Sequence, residues 1–171
     1  MINAAKKANM DLSGGYMHAA DVYGIRHIKE SHGNAKKEIS RGQLPVTDED
    51  IQRIPEIVDS PDKIAIGAKS RIGREMVVYL KKMNDGTTLY MEEQRTGKKQ
   101  LALQSMRKYP ATMNDASKIL KTVHLYARND SGDGLIIVDM DKKVNSMDKK
   151  VKPLTKSFTP ETGIEVYRIT P

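Results

Sequence analysis

The feature that most constrains this chain is Asn84-Asp85-Gly86, set between two alternating runs at residues 74–83 and 88–96. Asn and Asp tolerate left-handed backbone and Gly adopts it freely, so this tripeptide between runs of period two predicts a tight antiparallel hairpin. Pairing about the turn puts residue i opposite 171 − i. Val78, Leu80, Leu89 and Met91 then make the core face, and Tyr79, Lys81, Tyr90, Glu92 and Gln94 make the other. Thr96-Gly97-Lys98-Lys99 is a second turn into residues 101–109, which extends the hairpin to a meander.

Upstream the period changes to that of helices. From Asp21, a step of about 100° per residue places Val22, Ile25, Ile28, Lys29 and His32 on one side and Tyr23, His27 and Ser31 on the other. Gly33 supplies a C-terminal stop. Residues 34–43 are polar and read as a loop. Thr47, with acids at 48–50, is a helix start with a cap and a favourable first turn. Ile51, Ile54 and Val58 continue an apolar stripe to Ser60-Pro61-Asp62, and residues 63–68 read as extended. Residues 1–20 have no strong periodicity and read as a leader or a frayed helix. Helices first and an antiparallel meander afterwards make an α+β domain. Beyond Pro110, residues 111–127 suit a helix and 134–140 a short buried strand. Residues 141–157 are lysine-rich and read as mobile, and 164–169 is a strand able to pair with 134–140.

Charge narrows the partner class. Of the net +7, the segment 61–109 alone carries +6, against −2 for residues 21–60. A basic surface localised on a sheet suits a polyanion such as RNA, although a solvated lysine-rich face gives the same count. There is no cysteine, which excludes a disulfide framework, a thiolate nucleophile and Cys-ligated zinc. The first twenty residues hold no apolar signal core, and no run approaches the roughly 18 apolar residues of a membrane helix. The expectation is a cytoplasmic protein without a membrane association.

Three ordered segments carry a family resemblance. They are the helix end His27-Ile-x-x-x-His32-Gly33, the stretch Pro45-x-Thr47-x-x-Asp50 leading to Pro61-Asp62-Lys63-Ile64, and Glu93-x-Arg95-Thr96-Gly97-Lys98 running into Leu101-Ala102-Leu103. Together, over residues 21–109, they resemble the phage-associated nucleases of the barnase–EndoU–colicin–RelE group. The resemblance implies N-terminal helices packed on a four-stranded antiparallel sheet, with residues 110–171 as a C-terminal extension. It implies a toxin or effector that cleaves RNA without a metal or other cofactor, with tRNA as a target class. It also implies delivery by a phage or a secretion route, action in a bacterial cytoplasm, and an acidic immunity protein.

Metal-independent RNA cleavage needs a base for the 2′-OH, an acid for the departing 5′-oxygen, and cations for the crowded phosphorane. Histidine suits both proton roles because it titrates near neutrality. The candidates are His32 and His27 for protons, Arg95 and Lys81 for phosphate, Ser105 for positioning, and Glu93 as an orienting carboxylate or alternative base. Ser105 stands where the resemblance leads one to expect Thr. The two histidines lie about 140° apart on the helix, so His32 faces the sheet while His27 points elsewhere unless the helix ends between them. Tyr79 and Tyr90 are candidates for base stacking, and Lys98, Lys99, Arg107 and Lys108 for phosphate contact. Each has a plain structural alternative: a core histidine, an Arg95–Glu93 surface pair, or a covered sheet face. Asp139-Met140-Asp141 lacks the spacing of a calcium loop, and His18 and His124 have no partner at metal-ligand spacing, so no metal site is expected. A non-catalytic nucleic-acid-binding module and a phage structural or accessory protein remain the alternatives.

Overall fold

A computed structural model describes residues 5–6 and 10–121, together with the backbone of four short strands further on. In chain order the elements are β1 (Met17–Ala20), α1 (Val22–His32), α2 (Ala35–Ile39), α3 (Asp48–Gln52), α4 (Ile54–Asp59), β2 (Lys63–Lys69), β3 (Glu75–Met83), β4 (Gly86–Arg95) and β5 (Gln100–Tyr109). They are followed by α5 (Ala116–Lys121), β6 (Tyr126–Ala127), β7 (Ile136–Asp139), β8 (Lys156–Thr159) and β9 (Ile164–Arg168).

The α+β class holds, and the sheet corrects the expectation of four antiparallel strands. Its centre runs β2-β3-β4-β5-β1, with β2 to β5 antiparallel and β1 parallel to β5 through Met17↔Gln100 and Ala19↔Ala102. The region read as a leader therefore enters the sheet, and Met10, Leu12 and Tyr16 ahead of β1 are buried in the core. Four residues are too few to show a period, so the sequence held no strand signal there. β6 and β7 pair with β2, while β9 pairs with β1 and β8 with β9. The segment 164–169 thus adds to β1, not to the strand at 136–139. The reading of residues 141–157 as mobile lies almost wholly outside the described residues.

The hairpin forms where expected, with a register two residues tighter: Met83 pairs with Gly86 and Val78 with Met91. Asn84 and Asp85 alone make the loop, and Gly86 already belongs to the strand at φ 147°. A shift of two preserves the faces. The assignment of core and surface does not survive, because both faces are covered. Val78, Leu80, Leu89 and Met91 pack under Ile119 and Leu120 of α5. Tyr79 and Tyr90, directly paired across β3 and β4, pack instead with Ile28, Ile54 and Ile57 of the helices. Below them Glu92 is fully buried; its carboxylate meets His18 Nδ1 at 2.7 Å and accepts from the Tyr90 hydroxyl at 3.1 Å. Burial, with the adjacent Glu92 charge, pushes the Tyr79 hydroxyl well above its usual pKa.

Local chemistry explains the helices. Asp21 caps α1 by accepting from the Gly24 amide at 2.7 Å, and Gly33 closes it. Thr47 and Asp50 form the expected capping box on α3. The apolar stripe read as one helix is two, α3 and α4, breaking at Arg53 where Pro55 enters at the first turn of the next. The polar stretch after Gly33 is also corrected: Asn34 caps the short α2 by accepting from the Lys37 amide at 3.0 Å. The expected helix at 111–127 is shortened to Ala116–Lys121, and Tyr126–Ala127 is a strand.

Candidate active site

A cleft of about 720 Å³ opens where the C-terminal end of α1 meets β5. Three elements place its polar groups. The last turns of α1 bring His27, Ser31 and His32, α2 and the residues after it bring Lys37, Arg41 and Gln43, and the β2–β3 turn brings Ser70 and Arg71. Met76 and Met91 line it with apolar surface.

The fourth contribution depends on a β-bulge. Met91 pairs with Ser105 but Glu92 pairs with Leu103, so Gln104 is the extra residue on β5. Leu101 and Leu103 before the bulge and Met106 after it all lie in the helix-side core. The bulge thus switches the alternation and turns Ser105 and Arg107 into the cleft beside Gln104. Without it Ser105 would follow Leu103 into the apolar core.

At the centre three side chains form a chain of contacts. Ser105 Oγ lies 3.3 Å from His32 Nε2, and His32 Nδ1 lies 3.3 Å from Glu38 Oε2. The other Glu38 oxygen accepts from Arg41 at 2.7 Å. All of Glu38 is out of solvent, and His32 is 6% exposed. Burial holds the His32 pKa below its usual value; the Glu38 hydrogen bond and charge pull the other way, and Arg107 and His27 add to the depression. The His27 ring stands 6.2 Å from that of His32, nearly perpendicular, with its Nδ1 3.4 Å from Ser31 Oγ. Both histidines therefore reach one cleft on a continuous helix, because the cleft wraps the helix end. The expectation that His27 points elsewhere is corrected on that ground.

The remaining candidates are placed elsewhere. Arg95 lies at the far end of β4, its guanidinium shared between Asp21 at 3.3 Å and Glu93 at 3.4 Å. Glu93 also receives Arg74 at 2.6 Å, and Arg74 and Arg95 border a smaller hollow with Lys98. Lys81 donates to the Ser60 carbonyl at 2.6 Å at the C-terminus of α4. Lys99 sits in left-handed backbone and reaches the Gly14 carbonyl. Tyr79 and Tyr90 are fully buried and present no ring face to a base. Lys108 is 5% exposed and is held by Asp50 and Asp85, both at 2.7 Å, so it is not a phosphate contact. The parity switch at Gln104 decides this: it sends Arg107 to the cleft and Lys108 to the helices. Lys37, Glu38, Arg41 and Arg71 carry no signal in the sequence that marks them for the site. Only Asn34, a cap residue ahead of Ala-Lys-Lys-Glu, hinted at the helix that carries Glu38.

Two adjacent histidines, a buried carboxylate, a hydroxyl and a rim of Lys37, Arg41, Arg71 and Arg107 bring groups that can move protons together with cations that can bind an anion. Among the described residues no three His, Cys, Asp or Glu side chains cluster to hold a metal. The phage-Barnase-EndoU-ColicinE5/D-RelE like nuclease3 family matches residues 2–116, about two thirds of the chain, and the chain belongs to it. The match includes β1 and the residues before it as well as the cleft. No curated protein and no solved structure matches.

Proposed function

We propose that this nuclease cleaves RNA without a metal, by attack of the 2′-OH on the adjacent phosphate to leave a 2′,3′-cyclic phosphate and a 5′-OH. The observation that carries this reading is the pair of histidine rings 6.2 Å apart in one cleft, ringed by cations. One ring takes the 2′-OH proton and the other returns a proton to the leaving oxygen. Arg71, Arg107 and Lys37 neutralise the phosphate, and Ser105 positions it. Structured RNA such as tRNA is the target class, and an acidic inhibitor protein fits the basic rim.

The arrangement Ser105–His32–Glu38 favours a second reading, in which the serine hydroxyl attacks the phosphate itself. One substrate separates the two. An RNA with a single 2′-deoxy sugar at the cleavage site resists cutting under the first reading and is cut under the second. Mass analysis of the all-RNA product completes the test, since only 2′-OH attack leaves a cyclic phosphate.

A further inference from the structure

We infer that Glu38 is a positioning residue that fixes the proton of His32 on Nδ1, which makes His32 the base and leaves the acid's part to His27. The inference rests on the ribonuclease reading above and divides its labour.

The geometry runs from Arg41 inward. A guanidinium only donates, so Arg41 at 2.7 Å occupies Glu38 Oε1 as an acceptor. The second oxygen faces His32 Nδ1 at 3.3 Å and also only accepts, because a carboxylate has no proton to give. Nδ1 must therefore carry the hydrogen. Nε2 is then a bare lone pair, directed at the Ser105 hydroxyl and the cleft. The groups that face His32 are Glu38 from α2, His27 from α1 and Arg107 and Ser105 from β5. With burial, their balance keeps the ring neutral near pH 7, the form a base requires.

In the proposed step, the 2′-OH proton passes to His32 Nε2 as the 2′-oxygen forms its bond to phosphorus. The P–O5′ bond breaks, its electrons go to O5′, and O5′ takes a proton from the His27 imidazolium. His32 ends charged and His27 neutral, and exchange with solvent restores both. Glu38 touches no reacting atom.

Replacing Glu38 by Gln tests this with an unusual ordering. Arg41 will take the amide oxygen, which turns the amide N–H toward His32 Nδ1 and moves the ring proton to Nε2. The isosteric Glu38→Gln will then lose about 10²–10⁴-fold in kcat, the share of a general base. It will lose more than Glu38→Ala, where water can accept from Nδ1. Arg41→Ala added to Glu38→Gln will restore part of the loss by freeing the amide to turn. A purely structural role predicts the reverse order, with Gln milder than Ala. The nitrogen-15 NMR spectrum of the unmodified chain reads the tautomer directly, whatever the variants do to folding: protonated Nδ1 is expected, and protonated Nε2 in a neutral ring overturns the proposal. The nucleoside 3′-(4-nitrophenyl phosphates), whose leaving group needs no proton, test the division of roles. His27→Ala will lose about 10²-fold or more on RNA yet stay within about tenfold of wild type on these esters, and His32→Ala will fail on both. Equal losses for both variants on both substrates overturn the assignment. If the wild type cleaves no RNA at any pH, the ribonuclease reading falls and the proposal with it. Cleavage with the wrong tautomer, or with Gln milder than Ala, sinks the proposal alone.

Discussion

Replacing Lys108 by Met removes one ammonium while keeping its aliphatic length. The pair it breaks is largely out of solvent: the Lys108 side chain is 6% exposed and that of Asp50 2%. Burial pushes the lysine pKa down, but the bonds to Asp50 and Asp85 more than offset this and hold it above the usual value. Removing one partner of a buried pair costs about 3–5 kcal/mol, since the other is left as an uncompensated charge. Asp50 keeps its hydrogen bonds from the Thr47 amide and hydroxyl, which places the loss at the lower end. The half-exposed Asp85 adds less than about 1 kcal/mol. The expected total is about 3 kcal/mol, or a fall in Tm of about 6–12 °C for a chain of this size. Urea denaturation followed by circular dichroism measures it. Adding Asp50→Asn should recover more than half the loss, because the orphaned charge goes with it. A loss below about 1 kcal/mol, or no recovery in the double variant, would refute the account of Lys108 as a clamp between α3, the hairpin turn and β5.

Four further outcomes are expected. Arg71→Ala and Arg107→Ala should each weaken single-stranded RNA binding and reduce the slope of log K against log salt by about 0.7, a change that titration at several salt concentrations detects. Gly24 lies against the Leu103 side chain and carbonyl, at 3.0–3.1 Å from where a Cβ would sit. Gly24→Val should cost about 1–3 kcal/mol in a urea melt and lower cleavage as well, since α1 carries both histidines. Because burial lowers the His32 pKa in the folded chain, the unfolded chain binds the extra proton more readily. Stability should accordingly rise with pH between that lowered value and the ordinary one near 6.5, and His32→Gln should flatten the rise in melts taken across that window. Asp85 titrates lower in the folded state, chiefly through the Lys108 hydrogen bond. Its share of stability should vanish as pH falls through that lowered pKa, and acid melts of Asp85→Asn should lack this component.

Features written in local chemistry were legible: the Gly33 stop of α1, the Thr47–Asp50 box, and the hairpin at Asn84-Asp85-Gly86, whose register is two residues tighter than the spacing suggests. Features that depend on distant pairing were not. β1 is a strand because β5 and β9 pair with it on either side, and nothing in Met-His-Ala-Ala signals that. Tyr79 and Tyr90 alternate correctly, but alternation cannot say that both faces of a sheet are covered. Of the residues that line the cleft, His27, His32 and Ser105 are candidates through the resemblance and Arg107 through charge. Glu38 escaped because a lone carboxylate in a polar stretch looks like surface until folding buries it against His32 and Arg41. Lys81 and Arg95 carry the charge a phosphate needs, but the fold gives them local partners in Ser60 and in Asp21 and Glu93. The bulge at Gln104, which separates the fates of Arg107 and Lys108, has no local signature in the sequence.

The most direct measurement is the incubation of purified protein with total tRNA in EDTA, beside a His32→Ala variant shown to be folded by its thermal melt. The wild type should cut and leave fragments that end in 2′,3′-cyclic phosphate, and the variant should be slower by about 10²-fold or more. Equal cutting by the two proteins, or cutting that stops in EDTA, would contradict this reading.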